Sequence, residues 1–260
     1  MPREQHVPEG VPVSAAVGGD GRQIREAADL VEWLDERGVL ARLLGGVAVV
    51  LHCESLAGRP HREIADIDLI VSRAAARELP AAIGARGYEP AERFNAMHGH
   101  SRMLFSGPHG KLDVFVEEFH LCHRLDLRSR LELESPTLTA SDLLATKLQI
   151  VELNDKDLTD IWALLRDHEI GSGAGDHVDS DYLCSLVRDD WGLWRTFTGT
   201  LAAVSERSPE VADRADELRA RMDAVEKSRR FRVRARIGER RRWYELPEDP
   251  AVGEHAPSGG

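Results

Sequence analysis

One seven-residue stretch constrains this chain more than any other: Ala65-Asp66-Ile67-Asp68-Leu69-Ile70-Val71. Its second half is an apolar β-branched run that reads as a buried strand. Its first half carries two carboxylates at i and i+2, which alternation along a strand places on one face. Like charges held that close resist joint ionisation unless a cation sits between them. A fold that tolerates this pattern has to present the strand's head to a cation or to solvent. A second lone acid, Asp113, stands inside another apolar strand, Lys111-Leu112-Asp113-Val114-Phe115-Val116. If the two strands are neighbours, three carboxylates converge. Such a set can hold two metal ions that clamp the attacking and leaving oxygens of a phosphoryl-type displacement. The bland alternative is acids capping strand ends in water.

Around these strands the pattern alternates. Residues 23–37 have helical spacing (Ile24, Ala27, Ala28, Val31, Leu34) and stop at Gly38. A strand over 39–44 is broken by Gly45-Gly46, and 47–56 is compatible with a helix. The DxD strand over 63–71 precedes a helix over 73–85. Strands over 102–106 and 111–116 are joined across the turn Gly107-Pro108-His109-Gly110. After Pro136 the apolar spacing is helical throughout, over 139–153, 155–168, 180–191, 193–206 and 209–236. Gly171-Ser172-Gly173-Ala174-Gly175 forms a flexible break. The expected organisation is a disordered arm over 1–21, a mixed-sheet α/β domain over 22–136, a helical domain over 137–246 and a disordered tail over 247–260.

Gly45-Gly46, after a strand and at the start of a helix, lets backbone amides approach phosphate oxygens with no side chain in the way. An ordinary strand-to-helix turn is the alternative. Further on, Leu144, Lys147, Leu148 and Val151 share one helical stripe. Lys147 therefore lies on an apolar face, where an unpaired ammonium is costly. Asp157 and Asp160 occupy the corresponding face of the next helix. This reads as an interhelical ion pair, or as a lysine aimed at a triphosphate and positioned by an acid. Between the two acids the spacing does not decide; Asp160, beside Ile161, is the preferred one. Arg59 and Arg62 precede the DxD strand and are either triphosphate contacts or part of a solvated loop.

Taken together, Gly45-Gly46-Val47-Ala48, Arg62, Asp66-Ile67-Asp68-Leu69 and Leu112-Asp113-Val114 resemble the nucleotidyltransferase superfamily with the polymerase-beta-like fold. The flavour is that of its AbiEii/AbiGii-toxin-like branch, over about residues 22–168. The resemblance implies an α+β fold, with a mixed-sheet nucleotidyltransferase-like domain followed by an all-helical C-terminal domain. It also implies two Mg²⁺ ions and a nucleoside triphosphate as substrate. By it, Asp66 and Asp68 hold the metals, and Asp113 binds one metal and helps deprotonate an acceptor hydroxyl. Gly45 and Gly46 face the triphosphate. The branch's lysine and its Lys-Asp-x-x-Asp stretch fall on Lys147 and on Lys156 to Asp160. The implied acceptor is tRNA or protein, with a cognate antitoxin as partner. Aminoglycoside-type antibiotic modification and a non-catalytic NTP-binding module are the rivals. The step of twenty positions from Gly46 to Asp66, longer than in minimal members, departs from the pattern.

Composition excludes other classes. Three cysteines, with no CxxC, make neither a disulfide framework nor a zinc site. The longest near-apolar run, Leu43 to Leu51, is half the length of a membrane span. A cytoplasmic location is expected. His98, His100, His120 and His123 lack tetrahedral-site spacing and read as surface or loop residues. Trp191, Trp194 and Phe197 read as helical core. Net charge is −11, yet the segment from Lys227 to Trp243 carries nine basic residues and one acid, which leaves −19 on the rest. That segment is a solvated helix first and an RNA-phosphate contact second.

Overall fold

The computed structural model describes residues 19–56 and 66–246. Helix α1 (Gly19–Asp35) buries Ile24, Ala27, Val31 and Leu34, the stripe read from the spacing. It starts inside the stretch expected to be an unstructured arm; residues 1–18 of that arm, and the tail over 247–260, lie outside the described residues. Gly38, at φ +75°, turns the chain into β1 (Ala41–Leu44), whose four residues are all buried. Helix α2 (Gly45–His52) follows at once. Strand β2 (Asp66–Val71) is exposed at Asp66, half-buried at Asp68 and buried from Leu69 on. Residues 63–65 of the expected strand, with Arg59, His61 and Arg62, are outside the described residues.

The chain then forms α3 (Ala75–Gly84), β3 (Glu89–Pro90), α4 (Glu92–His98), β4 (Arg102–Gly107) and β5 (Gly110–Val116). Neither β3 nor α4 is expected from the sequence. Helix α4 buries no residue, so it carries no apolar stripe to read. The sheet order is β1-β2-β5-β4-β3. Strands β2 and β5 are parallel, and every other neighbouring pair is antiparallel. The sheet is therefore mixed, as expected, with its one parallel pair between the two acid-bearing strands.

A short hairpin, β6 (Glu118–His120) with β7 (Arg124–Asp126), leads out of the sheet. The joint near Pro136 is fastened to it: Leu43 donates its N–H to the Pro136 carbonyl, and Leu138 donates to the Leu43 carbonyl. The rest is mainly helical: α5 (Ala140–Leu148), α6 (Asp155–Asp167), α7 (Ser180–Arg188), α8 (Trp191–Arg207), α9 (Ala212–Ala224) and α10 (Arg229–Ile237). Each start but that of α9 has a side-chain cap, from Thr139, Asn154, Asp179, Asp190 and Ser228. The sequence expectation of one helix over 209–236 is corrected. Ser228 caps a new helix after Val225 leaves helical geometry. The Gly171–Gly175 break is likewise bounded by order, because β8 (Ile170–Gly171) pairs in parallel with β9 (Val178–Asp179). One continuous apolar core joins the sheet to helices α5–α9, with Phe197 fully enclosed in it.

Candidate active site

The parallel pairing sets the site. In the β2–β5 register Asp68 stands directly beside Asp113, and Asp66 beside Lys111. Register partners in a parallel pair point to the same face. Asp66, Asp68 and Asp113 thus share one face at the strands' heads, but of the three carboxylates expected to converge only Asp68 and Asp113 line the cleft. The three differ in setting. Asp66 is exposed, while Asp68 and Asp113 are half-buried and line a cleft of about 400 Å³ between the sheet and the α5–α6 pair.

Gly45 closes over Asp68. A Cβ on Gly45 would fall 2.0 Å from the Asp68 Oδ2 and 2.9 Å from its Cγ. The residue also sits at φ +66°, in the left-handed region. Only glycine meets both demands without displacement. The close approach brings the start of α2, with its unpaired backbone N–H groups, against the carboxylate. Gly45 lines the cleft, whereas Gly46 turns into the helix behind it.

Among the described residues no side chain donates a hydrogen bond to Asp68. Burial, then Asp113 beside it, pushes its carboxyl up to about 7, with Lys147 and Arg102 pulling the other way. Asp113 is partnered differently. Arg102 of β4 grips both of its oxygens, Nε to Oδ1 at 2.8 Å and Nη2 to Oδ2 at 2.5 Å. Neither the sequence spacing nor the resemblance singles out this arginine. A signal was present, because closing the hairpin at Gly107–Gly110 puts Leu104 opposite Asp113 and Arg102 on the adjoining diagonal.

Across the cleft stands Lys147, near the end of α5. Its Nζ lies 3.0 Å from Asp157 Oδ1 and 3.0 Å from Asp160 Oδ2. The two acids hold the ammonium charged against the burial that opposes it, and its pKa is raised. Both acids engage the lysine, so the sequence's choice between them does not arise. Asp160 is fully buried behind Lys147. Asp157 faces the cleft and also forms a capping box with Asn154 at the start of α6. Ending α5 at Leu148, five residues before the expected end, makes the turn that faces these groups to each other. Glu152 and Thr146 complete the polar lining, and Phe115, Phe119, Leu121, Ile150 and Leu246 form an apolar wall. Phe115 and Phe119 meet edge to face with centroids 4.7 Å apart.

Among the described residues no three of His, Cys, Asp or Glu converge as a ready-made metal cage. Of the histidines, His123 is buried against Thr196 and His120 pairs with Glu245. The donor set does suit Mg²⁺ in the mode that takes one or two carboxylates and fills its shell with water and phosphate oxygens. Asp68, facing the cleft and without a side-chain donor among the described residues, with exposed Asp66 on the same face, could supply that pair. Both oxygens of Asp113 are engaged by Arg102, so Asp113 could serve a metal only if that pair parted.

No known protein family profile matches the chain, and no curated protein matches it. Solved structures that match the chain in part include the antibiotic-resistance factor ANT(2'')-Ia, at 15% identity and TM-score 0.39 over 56% of this chain and 83% of that one. The lincosamide antibiotic adenylyltransferase LnuA, lincomycin-bound, matches at 17% and 0.39, over 55% and 94%. An antigenic nucleotidyltransferase-like protein from Paracoccidioides brasiliensis matches at 16% and 0.43, over 79% and 94%. At such distances none of these likenesses carries a function across.

Proposed function

We propose that the chain is an Mg²⁺-dependent nucleotidyltransferase, moving NMP from a nucleoside triphosphate to an acceptor hydroxyl with release of pyrophosphate. The observation that supports this most is Asp68 beside Asp113 on parallel strands, under the backbone of Gly45 and facing a cleft. That cleft also holds an ammonium fixed by two acids. Mg²⁺ bound at Asp66 and Asp68, and a second ion at Asp113, would offset phosphate charge and polarise the α-phosphate. The chain's own residues supply the rest. Asp157 and Asp160 hold Lys147 charged where triphosphate charge would gather. The amides at Gly45 suit a phosphate oxygen. Asp113, once free of Arg102, is placed to take the acceptor hydroxyl's proton. The Phe115–Phe119 wall suits a base or an apolar acceptor face. Arg62 remains a candidate triphosphate contact.

The favoured acceptor is tRNA, with protein next and a cognate antitoxin as partner. The basic segment supports RNA. Arg229, Arg230, Arg232, Arg236, Arg240, Arg241 and Arg242 are all exposed, and among the described residues no carboxylate pairs with any of them. The segment is held in shape by Phe231 against Trp194 and by Trp243 against Trp191. The chain then runs on to Leu246 at the cleft. One observation favours a second reading, an aminoglycoside-type acceptor: Asp68, Asp113, Glu152 and Asp157 outnumber the two cations in the cleft lining.

The test is label transfer from each α-labelled NTP with Mg²⁺ to total tRNA, a protein lysate or an aminoglycoside panel. The control is Asp66→Asn/Asp68→Asn protein. Label on RNA or protein, absent in the control, is expected. Label on the drugs alone selects the second reading. Nucleotide binding without transfer to anything would leave a binding module in place of an enzyme.

A further inference from the structure

Arg102 donates no group to the chemistry outlined above, yet its hold on Asp113 stands at the centre of it. Its guanidinium grips both oxygens of Asp113 in a bidentate fork. The next strand then sets Asp68, also acidic and lacking a side-chain donor among the described residues, directly beside Asp113. The arginine's guanidinium carbon lies 5.2 Å from the Phe115 ring centroid, and its side chain is 24% exposed and lines the cleft. It is thus a partly exposed cation inserted among carboxylates, on the cleft side. Two adjacent acids on paired strands need a counter-charge to be held together. In the absence of metal, Arg102 is the only fixed cation that hydrogen-bonds to either Asp68 or Asp113 among the described residues.

We infer that Arg102 is a built-in placeholder cation, which holds Asp113 while the site is empty and releases it when a divalent ion and nucleotide arrive. This inference rests on the reading of the cleft as a metal–nucleotide site. It makes Arg102 a positioning residue. Its cost is a weaker intrinsic hold on metal, because the arginine competes for Asp113 and repels a second cation. Its benefit is that the acids stay preformed without metal, and that full ligation is coupled to the anionic triphosphate, which gives the displaced guanidinium a new partner.

The experiment is Mn²⁺ titration by calorimetry without nucleotide, beside thermal melting in chelator and in saturating Mn²⁺, for wild type, Arg102→Gln and Arg102→Lys. Arg102→Gln is expected to bind Mn²⁺ roughly tenfold tighter or more, since a full charge a few ångströms away is gone. It should also melt below wild type in chelator and recover most of the loss with Mn²⁺. Arg102→Lys keeps the charge without the fork and should bind with an affinity between the two. An arginine that held the fold together without competing for the acids would not raise metal affinity when removed. If Arg102→Gln does not fold in chelator, Arg102→Lys decides alone: affinity no greater than wild type overturns the inference. Wild type that binds Mn²⁺, with Arg102→Gln binding equally or more weakly, overturns the placeholder and leaves the proposed function standing. No Mn²⁺ binding by any variant removes both. Binding by Arg102→Gln but not by wild type is the placeholder in its strongest form.

Discussion

Replacing Gly45 by alanine separates two costs that the structure predicts will add. The first is conformational. At φ +66° an L-residue is strained by roughly 1–2 kcal/mol. The second is steric, because the new Cβ would sit 2.0 Å from Asp68 Oδ2 and 2.9 Å from Cγ, so the carboxylate or the start of α2 has to move. Forcing a group into a filled site costs roughly 1–3 kcal/mol more. Gly38 isolates the first cost: its φ is +75° and a Cβ there meets nothing within 4 Å. Gly84, in α3 with open space around its Cβ and no positive φ, is the blank. Denaturant unfolding should then place Gly84→Ala within about 1 kcal/mol of wild type. Gly38→Ala should lose about 1–2 kcal/mol and Gly45→Ala about 2–5 kcal/mol. Combining Gly45→Ala with Asp68→Ala, which removes the two nearest atoms, should bring the cost of the glycine change close to that at Gly38. If Gly45→Ala costs no more than Gly38→Ala, or costs the same with and without Asp68, the reasoning that Gly45 is glycine because of Asp68 is refuted.

Three further outcomes follow from the same geometry. Lys147→Met leaves Asp157 and Asp160 buried without their cation and should destabilise by about 3–5 kcal/mol in denaturant unfolding, with most of that recovered when both acids become asparagine. The Asp68 carboxyl is raised to about 7 in the folded chain against an ordinary value near 4 when unfolded. The folded state therefore holds the extra proton, and metal-free stability should fall as pH climbs from about 4 through 7, by on the order of 2–4 kcal/mol from this group, with the slope reduced in Asp68→Asn to the part that Glu134, also pushed up to about 7 by burial, supplies. RNA binding measured by fluorescence anisotropy should weaken steeply with salt, and truncation before Lys227 should flatten that dependence; equal binding by the truncated chain would remove the basic segment from the acceptor site.

Much of this site is legible in the sequence, and the illegible part has identifiable causes. Asp66, Asp68 and Asp113 stand out because each is an acid in an apolar strand, and period-two alternation assigns them to faces. That β2 and β5 are neighbours is a matter of topology, which alternation does not contain. Gly45 is visible as a breaker, but its contact with Asp68 depends on α2 doubling back over β2. Arg102 is hidden for a different reason. It is the first residue of its strand, where a basic side chain is commonplace, and only the hairpin register turns it toward Asp113. The split between α9 and α10 escapes notice because Val225-Glu226-Lys227 contains neither glycine nor proline, and the stop is made by the Ser228 cap. Helix α4, in which no residue is fully buried, has no apolar stripe to betray it.

The central claim, that Asp68 and Asp113 form a metal-dependent nucleotide site, is tested most directly by titrating a non-hydrolysable triphosphate with and without Mg²⁺. Wild type, Asp68→Asn and Asp113→Asn are compared. Tight binding by wild type that requires Mg²⁺, lost in Asp68→Asn and weakened in Asp113→Asn, is the predicted result. Binding that ignores Mg²⁺, or that is the same in all three proteins, would contradict the account.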